Sequence, residues 1–221
     1  MKTQLFIADS VLVFSLSAPL PAAQLVDYDF DDSTPSASAV AAHLTASGIT
    51  GGSGISVFAY KPGNPDTGLA LSATKWTTSA TYDPNDYFEV TLTPATGYQL
   101  TLSNFQVDAR RSDTGPQTWE LRSSVDGFGT VLGSETLPIS SDFYPAQQLS
   151  IPKAYANLDS AVTFRMYGYG ASGTLGTGTL RIDNLIIDGE ITPVPEPAGW
   201  FVLAGLVLLG SPAAVRVFRR T

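Results

Sequence analysis

The chain has 221 residues, with 12 Lys and Arg against 20 Asp and Glu, one histidine and no cysteine. The lack of cysteine excludes disulfides, thiolate metal sites and cysteine nucleophiles, and a single histidine excludes zinc sites built from several imidazoles. Eighteen acidic against eight basic residues between 24 and 192 leave that stretch at −10, a charge that disfavours nucleic acid, whose phosphates select Lys and Arg.

From the N-terminus, Lys2 supplies a positive start, Val11–Leu16 is apolar, and Ser17–Ala23 is rich in small residues and proline. That order predicts a signal peptide over residues 1–23, cleaved after Ala22 or Ala23. Asp9 is out of character beside the apolar run.

Residues 24–192 have the size of one domain. Period-two alternation predicts half-buried strands. In Leu25–Phe30, Val26, Tyr28 and Phe30 oppose Asp27 and Asp29. Ile55–Tyr60 is a second apolar stretch. In Tyr87–Thr93, Phe88, Val90 and Leu92 oppose Tyr87, Glu89 and Thr91. Tyr98–Ala109 changes parity between Leu102 and Phe105, which predicts a β-bulge at Ser103-Asn104. Thr118–Ser123 points Trp119 and Leu121 inward, Asp126-Gly127 reads as a turn, and Val131–Leu132 pairs back across it. Gln148–Ile151 is a short strand. Ala161–Tyr169 places Val162, Phe164 and Met166 inward and Thr163, Arg165 and Tyr167 outward. Leu180–Ile191 slips parity again, predicting a bulge at Asp183-Asn184. Only the alanine-rich Ser36–Leu44 suggests a short helix. The whole reads as all-β, a two-sheet antiparallel β-sandwich with jelly-roll topology, its first and last strands side by side.

The tail, residues 193–221, has three parts: Val194-Pro195-Glu196-Pro197, an uncharged apolar run over Ala198–Val215, and Arg216, Arg219 and Arg220. Eighteen helical residues at about 1.5 Å each approach the thickness of a hydrocarbon core, so a transmembrane helix is predicted. Trp200 stands at its entry, and the arginines place its far end in the cytoplasm. The prolines make the preceding motif extended and short of donors. This three-part order resembles the PEP-CTERM sorting signal. The resemblance implies recognition by exosortase, a membrane-embedded transpeptidase-like enzyme of Gram-negative bacteria that make exopolysaccharide. It further implies an inner-membrane intermediate released near the motif to the cell surface or extracellular matrix. It covers only the last 28 residues and implies nothing about the domain being sorted.

Candidate chemistry within the domain is sparse. His43 lacks a nearby nucleophile motif, and no Gly-x-Ser-x-Gly turn is present. Glu89 and Glu120 are outward strand carboxylates of the kind a glycosidase pairs, with solvated strand faces as the default reading. Asp27, Asp29, Asp31 and Asp32 form the densest acid cluster and Asp83, Asn85 and Asp86 a second, either able to offer oxygen ligands to calcium or simply to shape turns. Trp76, Trp119, Tyr60, Tyr82, Tyr87, Tyr167 and Tyr169 offer flat ring faces for sugars, Tyr167 and Tyr169 being the better surface candidates and Trp119 the better core candidate. No catalytic residue, bound metal or cofactor is expected. The leading expectation is a sorted surface or matrix protein with a structural or adhesive role in exopolysaccharide. A carbohydrate-binding module is the alternative and a secreted glycoside hydrolase the third reading.

Overall fold

The computed structural model describes residues 22–63, 68–139, 147–174 and 177–195. Residues 1–21 of the expected signal peptide lie outside them, as do Glu196, Pro197, the 198–215 run and Arg216, Arg219 and Arg220.

Thirteen strands among the described residues form two antiparallel sheets. The first contains β1 (Ala23–Tyr28), β2 (Ala39–Val40), β5 (Ser56–Pro62), β6 (Leu69–Thr74), β8 (Tyr98–Arg111), β11 (Gln147–Ser150) and β13 (Leu180–Pro193). Its order is β11-β8-β13-β1-β2, with the β5-β6 pair also joined to β13. The second contains β3 (Leu44–Ala46), β4 (Thr50–Gly51), β7 (Tyr87–Pro94), β9 (Thr118–Ser123), β10 (Gly133–Thr136) and β12 (Val162–Tyr169). It runs β10-β9-β12-β7-β3, with β4 also on β7. There is no α-helix among the described residues, only two single-turn 3₁₀ segments.

The inward residues of both sheets make one core. Trp76, Trp119, Tyr28, Phe30, Phe105, Phe164, Leu71, Leu121 and Leu180 are all essentially solvent-free. The buried indole N–H groups are satisfied: Trp76 donates to the Ala73 carbonyl at 2.9 Å and Trp119 to Gln147 Oε1 at 2.8 Å. Both tryptophans are therefore core residues, as expected for Trp119, and the alternative in which their ring faces meet a sugar is corrected.

Both predicted bulges are present. Asp188 pairs with Asn104 and the next residue, Gly189, with Leu102, so Ser103 is the extra residue. On β13 the register jumps from Asp183↔Asp108 to Ile186↔Gln106, and Asn184 within that jump has φ +45°. There β13 also exchanges one neighbour for another: Leu180–Ile182 pair with β6, whereas Leu185–Gly189 pair with β1. The bulge lets one strand serve two partners on the same side.

Two local expectations are corrected. Ser36–Leu44 is not helical: Ser38 and Ala41 N–H groups donate to the Asp27 and Leu25 carbonyls at 2.8 Å each, and His43 sits at φ +62°. Cross-strand bonding to β1 outweighs the small helix preference of alanine. The strand opposite β9 begins at Gly133, not Val131; Leu132 contributes one N–H bond to the Leu121 carbonyl.

The predicted side-by-side placement of first and last strands holds, with Ala23 opposite Gly189. β13 then continues along β8 to Pro193↔Tyr98, and the Val194 N–H donates to the Gly97 carbonyl. The chain thus enters and leaves the sandwich at the end marked by the β7–β8 turn.

Candidate functional site

The inward parity of Phe88, Val90 and Leu92 turns Tyr87 and Glu89 outward on β7. The same rule turns Arg165, Tyr167 and Tyr169 outward on β12, and Glu120 and Arg122 on β9. Register aligns these positions into two rows across three strands. One row is Tyr87–Tyr167–Glu120 and the other Glu89–Arg165–Arg122. Arg165 lies directly opposite Arg122, a like-charge pair that destabilises a sheet unless neutralised.

Two glutamates neutralise it. Arg165 Nε donates to Glu89 Oε2 at 2.7 Å and Arg122 Nε to Glu120 Oε1 at 2.5 Å. Aromatic rings cover the guanidinium faces. The Arg165 guanidinium carbon is 4.3 Å from the Tyr87 ring centre and 4.1 Å from that of Phe128, and Arg122 lies 4.3 Å from the centre of Tyr82. Such contacts add roughly 0.5–1 kcal/mol each at exposed sites. Burial opposes both guanidinium charges, yet the glutamate hydrogen bonds raise their pKa values above the usual arginine range. The Tyr169 hydroxyl donates to Glu120 Oε2 at 3.4 Å.

Loops bring in the remaining rings. Phe128 follows the turn at Gly127 and stands at φ +63°, a left-handed conformation costly for a residue with a Cβ. Two bonds hold it there: its N–H donates to the Ser123 carbonyl at 2.7 Å and its carbonyl accepts from Arg122 Nη1 at 3.0 Å. Tyr82 arrives on the segment after β6, tied to the end of β12 by Gly170 N–H to Ser79 and Ala171 N–H to Thr77. Tyr82 and Tyr87 pack against Tyr167 at centroid distances of 4.9 and 5.4 Å, tilted by 59° and 66°, near the edge-to-face arrangement that ring quadrupoles favour. Burial pushes the Tyr167 phenol pKa up, and burial followed by the Glu120 charge does the same for Tyr169.

The outcome is a band of tyrosine rings, two neutralised arginine–glutamate pairs and hydroxyls on one sheet face. Flat rings can stack on apolar sugar faces, and fixed guanidinium and carboxylate groups can hydrogen-bond sugar hydroxyls.

No protein-family model matches the chain, and no curated protein does. Among solved structures, it is similar to the carbohydrate-binding module CBM29_1 from Piromyces equi, at 14% identity over 77% of this chain and 93% of that one, TM-score 0.39. It is similar to CBM27-1 of Caldicellulosiruptor saccharolyticus, solved with mannohexaose, at 14% identity over 76% and 97%, TM-score 0.44. It is also similar to the K3 cleaved adhesin domain of Lys-gingipain from Porphyromonas gingivalis, at 14% identity over 75% and 99%, TM-score 0.39. Identities and scores of this size carry over neither residues nor ligands.

The other predicted residues do not converge. His43 is exposed at the opposite end of the sandwich, its ring flat on Tyr98 at 3.9 Å and 9°. Asp29, Asp31 and Asp32 accept backbone N–H groups of Asp31, Leu69 and Thr34, so they shape the turn after β1 and fasten it to β6. Burial first, and the Asp29 charge second, push the Asp27 carboxyl pKa up. Asp83 caps Asn85, while buried Asp86 accepts the Thr77 N–H at 2.5 Å. No group of three or more acidic or histidine side chains is placed to hold a metal among the described residues. Tyr60, half-buried on β5, belongs to the other sheet.

Tyr167 requires a correction. It does face outward, as predicted, but Tyr82 and Tyr87 cover it and only 2% of its surface remains exposed. The exposed ring surface belongs to Tyr82, Tyr87 and Tyr169. Sequence reasoning did not single out Arg122, Arg165 and Phe128 as site residues. The signal available for the arginines was the recurrence of Tyr-x-Glu, Glu-x-Arg and Arg-x-Tyr-x-Tyr on three strands.

Proposed function

We propose that the domain is a non-catalytic glycan-binding sandwich whose ligand lies along the Tyr82–Tyr87–Tyr169 band. The observation that carries this reading is the in-register arrangement of rings around two neutralised arginine–glutamate pairs. It combines apolar ring faces with fixed polar groups, as recognition of a polyhydroxylated chain requires. Glu89 and Glu120 serve as hydrogen-bonding and structural acceptors here, not as an acid–nucleophile pair. Each is held by its own arginine, and two strand spacings, about 10 Å, separate their strands. Isothermal titration of the full chain against a panel of soluble polysaccharides tests the proposal. Saturable binding weakened at least ten-fold by Tyr87→Ala or Tyr169→Ala supports it; binding to no glycan, or binding indifferent to both substitutions, overturns it.

A second reading concerns destination. We infer from the tail that the domain is exported and sorted by an exosortase-like membrane enzyme, with Val194, Pro195, Glu196 and Pro197 as the motif. The 198–215 run would be a transient membrane anchor, and Arg216, Arg219 and Arg220 its cytoplasmic end. A structural or adhesive role in exopolysaccharide then follows from glycan binding at the cell surface. The exposure of Val194 and Pro195 beside the β7–β8 turn favours access to the motif. Mass spectrometry of exported material from the native host tests it: a mature chain ending near Pro197 is expected, and an intact C-terminus at Thr221 overturns it.

A further inference from the structure

A hollow of about 270 Å³ lies where β9 ends and β12 begins, between the single 3₁₀ turn Ser124–Asp126 and residues 157–162. The steps along β12 from Val162, at its edge, to Tyr169, in the ring band, are roughly 3.3 Å each and place the two about 23 Å apart. The hollow is therefore separate from the site already described.

Both of its walls are held before any ligand arrives. In the turn, the Val125 N–H donates to Ser123 Oγ at 3.3 Å and the Gly127 N–H to the Ser124 carbonyl at 3.1 Å. Ser124 Oγ accepts the Thr163 N–H at 2.9 Å. Opposite, Leu158 exchanges two backbone bonds with Leu100 at 2.8 Å each, and the Asn157 N–H donates to Thr101 Oγ1 at 3.1 Å. Asn157 takes φ +57°, a left-handed conformation that asparagine visits more readily than most residues. A preformed hollow spares a ligand the cost of ordering its walls.

We infer that this hollow is a second sugar site, one that takes a single neutral ring. Its polar groups offer donors and acceptors side by side. Among the described residues no hydrogen bond engages the Asn157 side-chain amide, which can both donate and accept. Ser124 Oγ, having accepted from Thr163, keeps its hydrogen to donate. Asp159 Oδ1 accepts from Ser160 Oγ at 2.9 Å, which leaves Oδ2 to accept. Exposed Val125, with Leu158 and Ala161, adds apolar surface. Donors and acceptors beside a small apolar area suit a pyranose, with hydroxyls around its rim and C–H groups on its faces. The volume falls just below the roughly 300 Å³ at which pockets for drug-sized ligands begin, which limits the ligand to about one ring. No lysine or arginine lines the hollow, so an anion would meet only the Asp159 charge and be repelled. A calcium ion would find one carboxylate there, short of the roughly six oxygens it takes.

Methyl α-mannoside, methyl β-glucoside and methyl β-galactoside are the probes, each titrated into the full chain and followed by saturation-transfer NMR. A single ring has few atoms to contribute, so saturable binding of at least one glycoside is expected with a roughly millimolar constant. Asp159→Asn keeps the side-chain shape, removes the charged acceptor and should weaken that binding at least about ten-fold. Asn157→Gly removes the amide at a backbone position that glycine adopts without strain, and should weaken it about five-fold. Tyr87→Ala, which strips the ring band, should leave it unchanged. No saturable binding of any of the three, or binding that both hollow variants leave unaltered, overturns the inference. Binding abolished by Tyr87→Ala assigns the glycoside to the ring band and overturns it equally. Glycoside binding kept in Tyr87→Ala and weakened by Asp159→Asn sustains the hollow even where the ring band takes no polysaccharide, so the two sites stand or fall separately.

Discussion

The two outer faces of the sandwich obey the same alternation and carry different chemistry. On the β8–β13 side, polar side chains tie neighbouring strands to one another. Gln99 donates to Thr192, Asn104 to Asp188, and Gln148 to Gln106 at 2.7 Å. On the β7–β12–β9 side the corresponding positions hold tyrosines, arginines and glutamates, with Tyr82 and Phe128 laid over them from loops. The first face is solvated surface that stitches strands together. The second concentrates ring area where a strand surface alone requires none, and that contrast directs the functional reading to one side of the molecule.

The two faces share a single core, so the largest expected effect strikes both. Trp119→Ala should cost about 3–5 kcal/mol, read as a lower urea midpoint, with any glycan binding lost alongside the fold. Tyr87→Ala should separate the faces. Glycan affinity falls at least ten-fold, about 1.4 kcal/mol, while Gln106→Ala on the other face changes it less than two-fold in the same titration. Equal effects would erase the distinction between them. Arg165→Ala removes a half-buried ion pair and two ring contacts. After allowance for solvent screening, a loss of about 1 kcal/mol in denaturant stability is expected, together with weaker glycan binding.

The smallest effect is at alkaline pH. The folded state raises the phenol pKa of Tyr28 and Tyr167, chiefly through burial. Their contribution to stability is therefore intact below the unfolded tyrosine value near 10. It declines as pH climbs from there toward the folded values, because the unfolded chain releases protons that the folded one retains. Denaturation at pH 9 and pH 11 should show this decline, reduced in Tyr167→Phe.

Much of this architecture was legible because side-chain direction alternates strictly along a strand. A shift in parity must be absorbed by an extra residue, which is why Leu102-Ser103-Asn104-Phe105 and Ile182-Asp183-Asn184-Leu185 disclosed their bulges. The short strands β2, β3 and β4 left no such trace. Two or three residues carry no period, and only pairing partners distant in sequence hold them extended. The site divided in the same way. The outward orientation of Tyr87, Tyr167 and Tyr169 could be read from their own strands. The covering of Tyr167 could not, because it depends on Tyr82 arriving from a loop. The Arg165–Glu89 bond, spanning 76 positions, depends on register between strands.

One consequence concerns direction. Residue 195 emerges beside the β7–β8 turn and residue 22 points toward the same end of the sheet, Ala23 pairing with Gly189, whereas Tyr87 opens β7 at its other extremity, about 23 Å away for an eight-residue strand. A fusion partner, bead or bilayer attached at either exit would therefore hold the molecule like a brush by its handle, leaving the ring band at the working tip.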